Sequence, residues 1–244
     1  MLIVTVLKLG KNFLPNHAQW LHSQLSSYES VCLTDAGNIP GVKTIPLQHN
    51  WPGWWSKIEL FNPKHPVIGK RDIFFIDIDT VITGDLTELM KTAGMVMLTD
   101  FFGIGHNAPN LPLPASGVMK IPYEYKESVW EKFLENPKYY MEKCTTKDQW
   151  GDQGFIGSIY PNVLRWQNIH PGKIISYKAH IANSNMTGFH HELSLGNGHL
   201  PKDSRIVCFH GNPRPWEVKL PWIPQFTPPT ILQQLLAWKK RNIF

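Results

Sequence analysis

Two aspartates separated by one residue, Asp77 and Asp79, lie inside an apolar stretch, residues 72–82, that is the strongest strand candidate in the sequence. A continuous apolar run of this kind is typical of a central strand in a sheet covered on both faces. At positions i and i+2 the two side chains leave such a strand on the same side, about 6.6 Å apart along the backbone. Buried carboxylates are unfavourable without a partner, and ligands bind at the carboxyl ends of strands in open α/β sheets. A divalent cation between the carboxylates and a diphosphate would supply that partner. The alternative is local capping or pairing at the strand exit.

A histidine and an arginine, His210 and Arg214, follow the last strand-like run. Glycine after the histidine and prolines on both sides of the arginine indicate a turn that fixes both side chains. Imidazole nitrogen combined with carboxylate oxygens suits Mn²⁺, whereas Mg²⁺ prefers oxygen ligands. The guanidinium fork matches phosphate oxygens. For His210 the alternative is a hydrogen-bonded structural role.

A carboxylate and an amide, Asp152 and Gln153, stand between two glycines at the start of a predicted helix. Their polar groups are suited to the hydroxyls of a polyol. The alternative is that Asp152 is the N-cap of that helix.

Short strands alternate with helices, which predicts an α/β fold with a largely parallel sheet. The strands are expected at Leu2–Leu7, Val31–Thr34, Val42–Leu47, Ile73–Ile82, Met95–Thr99, Gly117–Ile121 and Arg205–Phe209. Helices are expected at Asn16–Leu25, Trp54–Phe61, Pro122–Glu135 and Asp148–Tyr160, with a C-terminal helix at about residues 230–244. Since no repeat or linker interrupts the pattern, we predict one domain over residues 1–244.

Composition excludes several other classes of protein. The formal charge of +5 comes without a cluster of Lys and Arg, which argues against nucleic-acid binding. The three cysteines are far apart and form no CxxC pair, so a thiolate zinc site and a disulfide scaffold are not expected. No apolar run is long enough to span a membrane, and the apolar N-terminus lacks a preceding basic region. We therefore expect a cytoplasmic protein. The basic end of the last helix, Lys239–Arg241, leaves peripheral contact with the inner face of a membrane as a further hypothesis.

In their order along the chain, these segments resemble the family 8 glycosyltransferases of the GT-A fold, which include glycogenin and bacterial lipooligosaccharide galactosyltransferases. The similar segments are Val4–Leu7, Trp55–Phe61, Asp77–Asp79, Ala115–Val118, Gly151–Gly154 and His210–Trp216. Counted back from Pro215-Trp216, the family's histidine falls at Cys208, and a shift of two residues on a strand keeps His210 on the same face.

The resemblance implies a Rossmann-like, mostly parallel mixed sheet flanked by helices. It also implies a metal-dependent transfer of a hexose from a UDP-sugar to a saccharide or glycolipid acceptor, with retention of anomeric configuration. By resemblance, the Mn²⁺ ligands are Asp77, Asp79 and His210, with Mg²⁺ as the alternative ion. The nucleotide and diphosphate would be bound by Leu7, Lys57, Ile78, Gly211 and Arg214. The donor sugar would contact Asp100, Ser116, Asp152 and Gln153, of which Asp152 and Gln153 are the candidate catalytic residues.

Two other functions remain open at this stage. A metal-dependent phosphohydrolase would use the same carboxylates, but would need ligands for a second metal. A non-catalytic carbohydrate-binding protein on a transferase fold would use some of the ten tryptophans.

Overall fold

A seven-stranded sheet forms the centre of the computed structural model, which describes residues 1–10, 12–101, 113–146, 149–182 and 196–228. Its strands are β1 (Leu2–Leu7), β2 (Ser30–Thr34), β3 (Thr44–Pro46), β4 (Ile73–Ile76), β6 (Val96–Thr99), β7 (Pro114–Ile121) and β8 (Leu164–Arg165). They are ordered β3-β2-β1-β4-β7-β6-β8. All neighbours pair in parallel except β7, which is antiparallel to both β4 and β6. The predicted mostly parallel α/β sheet is therefore confirmed.

A second, three-stranded sheet lies beside the large one. It consists of β5 (Thr80–Ile82), β9 (Ile174–Ser176) and β10 (Ile206–Cys208), in the order β5-β10-β9. Strand β10 pairs antiparallel with β5 and parallel with β9.

Helices cover the large sheet. The α-helices are α1 (Pro15–Ser23), α2 (Thr87–Lys91), α3 (Lys126–Glu135), α4 (Pro137–Lys143), α5 (Gly151–Ile159) and α6 (Trp166–Ile169). The segments Gly53–Phe61, Tyr123–Tyr125 and Pro215–Glu217 are 3₁₀-helices, and Tyr177–Ile181 is a π-helix.

Two hydrophobic cores lie on opposite faces of the large sheet, and β1 contributes to both. Ile3 and Leu7 belong to one core, with α1 and the small sheet, while Leu2, Val4 and Val6 belong to the other, with the Gly53–Phe61 helix. Successive side chains of a strand point to opposite faces, so an apolar run without alternation is what a sheet covered on both sides requires.

The predicted strand Ile73–Ile82 is wrong, because the chain leaves one sheet and enters the other within it. The N–H of Asp77 still bonds to the carbonyl of Gly117 (2.9 Å), whereas the carbonyl of Asp79 accepts from the N–H of Phe209 (3.2 Å). The three residues 77–79 therefore form a turn between β4 and β5. Both halves are apolar and buried, so the sequence pattern does not reveal that their partners lie in different sheets.

The segment of residues 218–228, here called the strap, runs across α1. The indole N–H of Trp20 donates to the carbonyl of Pro224 (3.0 Å), and the amide of Asn16 donates to the carbonyl of Thr227 (3.1 Å). Side chains of the strap, including Trp222 and Phe226, pack on the core of this face.

The predicted C-terminal helix at about 230–244, and with it the hypothesis of membrane contact, falls outside the described residues. None of the helices that the structure does describe is long and apolar enough to cross a bilayer.

Candidate active site

Lys57 is the centre of the first half of the site. The Gly53–Phe61 helix carries its ammonium group to within 3.0 Å of Asp77 Oδ2, 3.2 Å of Ser116 Oγ and 3.8 Å of Asp152 Oδ2. These partners come from the 77–79 turn, from β7 and from α5. One buried cation thus joins three elements that are far apart in sequence.

Arg214 and the neighbouring turn form the second half. Its guanidinium is paired with the carboxylate of Asp79, which also accepts the N–H of Gly211 at 3.3 Å. The arginine lies over the ring of Phe13, with 4.8 Å between guanidinium carbon and ring centroid. The two aspartates of the 77–79 turn therefore have different cationic partners.

The electrostatics of the site follow from three carboxylates held close together. Burial alone would lower the pKa of Lys57, but Asp152, Asp77 and Asp79 raise it above its usual range. The pKa of Asp77 is raised, first by removal from water and then by Asp79 and Asp152, although Lys57 opposes the shift. Asp152 is 4% exposed, and its Oδ2 has no hydrogen-bond partner among the described residues. The cluster is therefore suited to additional positive charge.

His210 is bonded to a serine and stacked on an aromatic ring. Its Nε2 lies 2.6 Å from Ser176 Oγ, and its ring stacks on Phe101 with centroids 5.3 Å apart. Burial lowers its pKa to about 3, so the ring is neutral at pH 7, which is the form that binds a metal. The hydrogen-bonded role that the sequence left open is thus present.

Strand alternation does not carry over to His210, because β10 ends at Cys208 and His210 has a φ of +37°. Cys208 is 4% exposed, and its pKa is raised by burial and by the charges of Asp79 and Asp77. The residue at the family's histidine position is therefore a buried thiol near both carboxylates.

The other predicted site residues take no part in these ion pairs. The side chains of Leu7 and Ile78 are buried in the core, so only their backbone atoms are left for a ligand. Asp100 follows β6, and its N–H bonds to the carbonyl of Leu113 (2.7 Å). Gln153 is half-buried in the first turn of α5 and makes no side-chain hydrogen bond to the described residues. The proposed N-cap role of Asp152 is wrong, since Trp150 is the N-cap residue and Asp152 lies within the helix.

Sequence reasoning missed Lys178 and Ser176. Ser176 ends β9, and Lys178 lies in the π-helix with its ammonium 3.2 Å from the carbonyl oxygen of His210. The apolar pair Ile174-Ile175 before them is too short to be distinguished as a strand, so the sequence gives no clear signal for either residue.

The carboxylate groups of the site are chemically suited to a divalent metal ion, although they are not arranged around one. No three His, Cys, Asp or Glu side chains are grouped as metal ligands within the part of the chain that the structure describes. Asp77 and Asp79 nevertheless provide two carboxylates close to a third, Asp152. Among the described residues, two cations are paired with these three groups. A divalent ion at Asp77 and Asp79 would offset the remaining negative charge. His210 would join them only by exchanging Ser176 for the metal.

Neither a protein-family model nor a curated protein sequence matches the chain. Among solved structures, the galactosyltransferase LgtC in complex with donor and acceptor sugar analogs is similar, with a TM-score of 0.56. It is 15% identical, over 88% of this chain and 89% of that chain. The glycosyltransferase GlyE of Streptococcus pneumoniae TIGR4 has a TM-score of 0.57 and 14% identity, over 100% of this chain and 60% of that chain.

A third similar structure is the bifunctional glycosyltransferase WbbM in its apo form. Its TM-score is 0.53 at 14% identity, over 88% of this chain and 46% of that chain. This chain thus spans less than two thirds of GlyE and less than half of WbbM, but most of LgtC. At these identities the similarity concerns the fold. The chain has the GT-A glycosyltransferase fold that its sequence motifs predict.

Proposed function

We propose that the protein is a glycosyltransferase that transfers a hexose from a UDP-sugar to a saccharide-bearing acceptor. The proposal is carried by two neighbouring groups of ion pairs at the end of β4. Lys57 pairs with Asp77 and Asp152, and Arg214 pairs with Asp79. Four sequence segments that resemble family 8 motifs supply these five residues, and their side chains converge.

The chemistry that these residues favour is the departure of a diphosphate. In the proposed reaction the bond between sugar C1 and the β-phosphate oxygen breaks, and both electrons remain on UDP. The acceptor hydroxyl oxygen bonds to C1 on the same face, and its proton leaves with UDP. Arg214 and Lys57 stabilise the negative charge that develops on the leaving group. Such cations do not need to donate a proton.

A divalent ion, Mn²⁺ in our proposal, would be held by Asp77 and Asp79, with His210 as a third ligand. When bound, it would act as a Lewis acid toward the diphosphate. Asp152 and Gln153, in the first turn of α5, are proposed to contact the donor sugar together with Ser116 and Asp100. The buried, unsatisfied oxygen of Asp152 supports this role, because a sugar hydroxyl can donate to it.

The test is release of UDP from a panel of UDP-hexoses without acceptor, with Mn²⁺ and again with a chelator. We expect slow, metal-dependent hydrolysis of one donor, which would also identify the sugar. Asp79→Asn should abolish metal-dependent UDP binding and leave the circular dichroism spectrum unchanged. Sugar binding that needs neither UDP nor metal, without turnover of any donor, would show a carbohydrate-binding protein instead. UDP and Mn²⁺ binding unchanged in Asp79→Asn would show that the site is assigned wrongly.

A further inference from the structure

We propose that Lys178, which lies outside every motif described above, binds the diphosphate of the donor nucleotide. The inference rests on the proposed function and adds a cation to it from a different part of the chain. It is carried by the position of the ammonium group, by the π-helix that holds it, and by the lack of an ion-paired carboxylate among the described residues.

The ammonium group of Lys178 lies at the turn that contacts Asp79. It donates to the carbonyl of His210 at 3.2 Å, and it is 3.3 Å from the point where a Cβ on residue 211 would be. The N–H of Gly211 itself donates to Asp79. Because residue 211 is a glycine, no side chain separates the ammonium group from this turn.

A π-helix, Tyr177–Ile181, fixes the lysine in this position. Helices of this type are rare, and this one directly follows β9. Ser176 begins it, since its Oγ accepts the N–H of Ala179 at 3.1 Å and also bonds to His210 Nε2. One serine thus connects the helix that carries Lys178 to the turn that receives it.

Lys178 forms no ion pair among the described residues, and Asp79 is the carboxylate that acts on its charge. Lys57 and Arg214 each form an ion pair, whereas Lys178 forms none with any carboxylate in the described ranges. It is half-buried, and both burial and the charge of Arg214 lower its pKa, opposed by Asp79. A partly buried cation with a second cation, Arg214, nearby is stabilised by an anion. Lysine binds phosphate as a point charge, so a diphosphate next to Arg214 would meet this need.

The experiment measures UDP binding by calorimetry in the parent protein and in Lys178→Met, Lys178→Arg and Lys173→Met. Titrations are made with a chelator and with Mn²⁺. Methionine keeps the length of the side chain without its charge. Lys173 lies five residues earlier and has no contact with the site, so its variant is the matched control. We expect Lys178→Met to weaken UDP binding about tenfold in both conditions, as for loss of one charge-assisted hydrogen bond. Lys178→Arg should recover most of the affinity, and Lys173→Met should match the parent.

Uridine separates charge recognition from disturbance of the site. Its binding, followed by saturation-transfer NMR, should be the same in the parent and in Lys178→Met because it carries no phosphate. Equal losses of UDP and uridine binding in Lys178→Met, or unchanged UDP binding, would overturn the role of Lys178 but not the proposed function. A parent protein that does not bind UDP would instead reject the proposed function as well.

Discussion

Each carboxylate of the 77–79 turn is paired with a cation from a different part of the chain. Lys57 compensates Asp77 and lies near Asp152, and Arg214 compensates Asp79. These charges are partly or fully removed from water. Each group therefore depends on its partner more than a charged group at the surface does. Lys57 matters most, since it is the only one of these cations in contact with two carboxylates among the described residues.

Lys57→Met should therefore destabilise the protein as well as inactivate it. Removal of one partner from a buried ion pair leaves the other uncompensated, which costs about 3 kcal/mol. The free energy of unfolding, from urea titrations at pH 7, is the measurement. Lys64→Met, at an exposed position on the following turn, is the control and should have almost no effect. Equal stability of the two variants would mean that Lys57 is not needed to hold the carboxylates in place.

Elements of the large sheet are joined by buried polar side chains as well as by apolar packing. His22 of α1 is the clearest case, because Nε2 lies 2.9 Å from Thr5 Oγ1 of β1 and Nδ1 lies 3.0 Å from Ser30 Oγ of β2. Burial lowers its pKa to about 4. The helix is thus attached to two strands by a ring that is neutral when the protein is folded.

Stability should fall in mildly acidic solution for this reason. The unfolded chain takes up a proton on His22 near pH 6.5, whereas the folded protein takes it up only near pH 4. The contribution of neutral His22 to the free energy of unfolding is therefore complete above pH 6.5. It is lost as the pH falls toward 4, and the loss is about 3 kcal/mol for this group. The pKa values of His17 and His210 are lowered as well, so the contribution of His22 is measured as the difference between a His22 variant and the parent.

Urea unfolding between pH 7.5 and pH 4.5 measures this dependence. His22→Gln should have a smaller loss of unfolding free energy over that range than the parent, while the exposed His199→Gln should behave like the parent. A pH dependence in His22→Gln as steep as in the parent would contradict the assignment.

At the scale of the whole molecule, the strap connects the half of the site around Arg214 to α1. His17 stacks on both Trp216 and Phe226, with ring centroids 4.0 Å and 5.1 Å away, and these two rings are 5.5 Å apart. Trp216 follows Arg214 by two residues, and Arg214 rests on Phe13. The position of the arginine therefore depends on packing between the strap, its preceding loop and the first helix.

Trp216→Ala should reduce both stability and UDP affinity. Loss of a packed tryptophan costs about 3 kcal/mol or more, and the loop that carries Arg214 loses its anchor. Trp130→Ala, in the core on the other face of the large sheet, should lose comparable stability without loss of UDP affinity. Calorimetry at a temperature where both variants are folded separates the two effects. Equal UDP affinities in the two variants would show that the anchor does not position Arg214.

The α/β class was predictable from local features of the sequence, and most of the candidate site from the resemblance of its segments to family 8 motifs. Apolar runs such as Leu2–Leu7 and Ile73–Ile76 report strands buried on both faces, and the residues around Lys57, Asp77, Asp152 and Arg214 could be recognised from their segments. The roles assigned to these residues stay predictions, but their convergence is what the fold provides.

Other features depend on which elements pair across long distances in the chain. The break between β4 and β5 arises because each half finds a partner in a different sheet. His210 turns to Ser176, and Lys178 reaches the site through a π-helix, both by contacts that span more than 30 residues. Hydrophobic periodicity reports whether a residue is buried and not what it is buried against. Those partners were decided only by the tertiary structure, because each one depends on contacts that exist only once both sheets have formed.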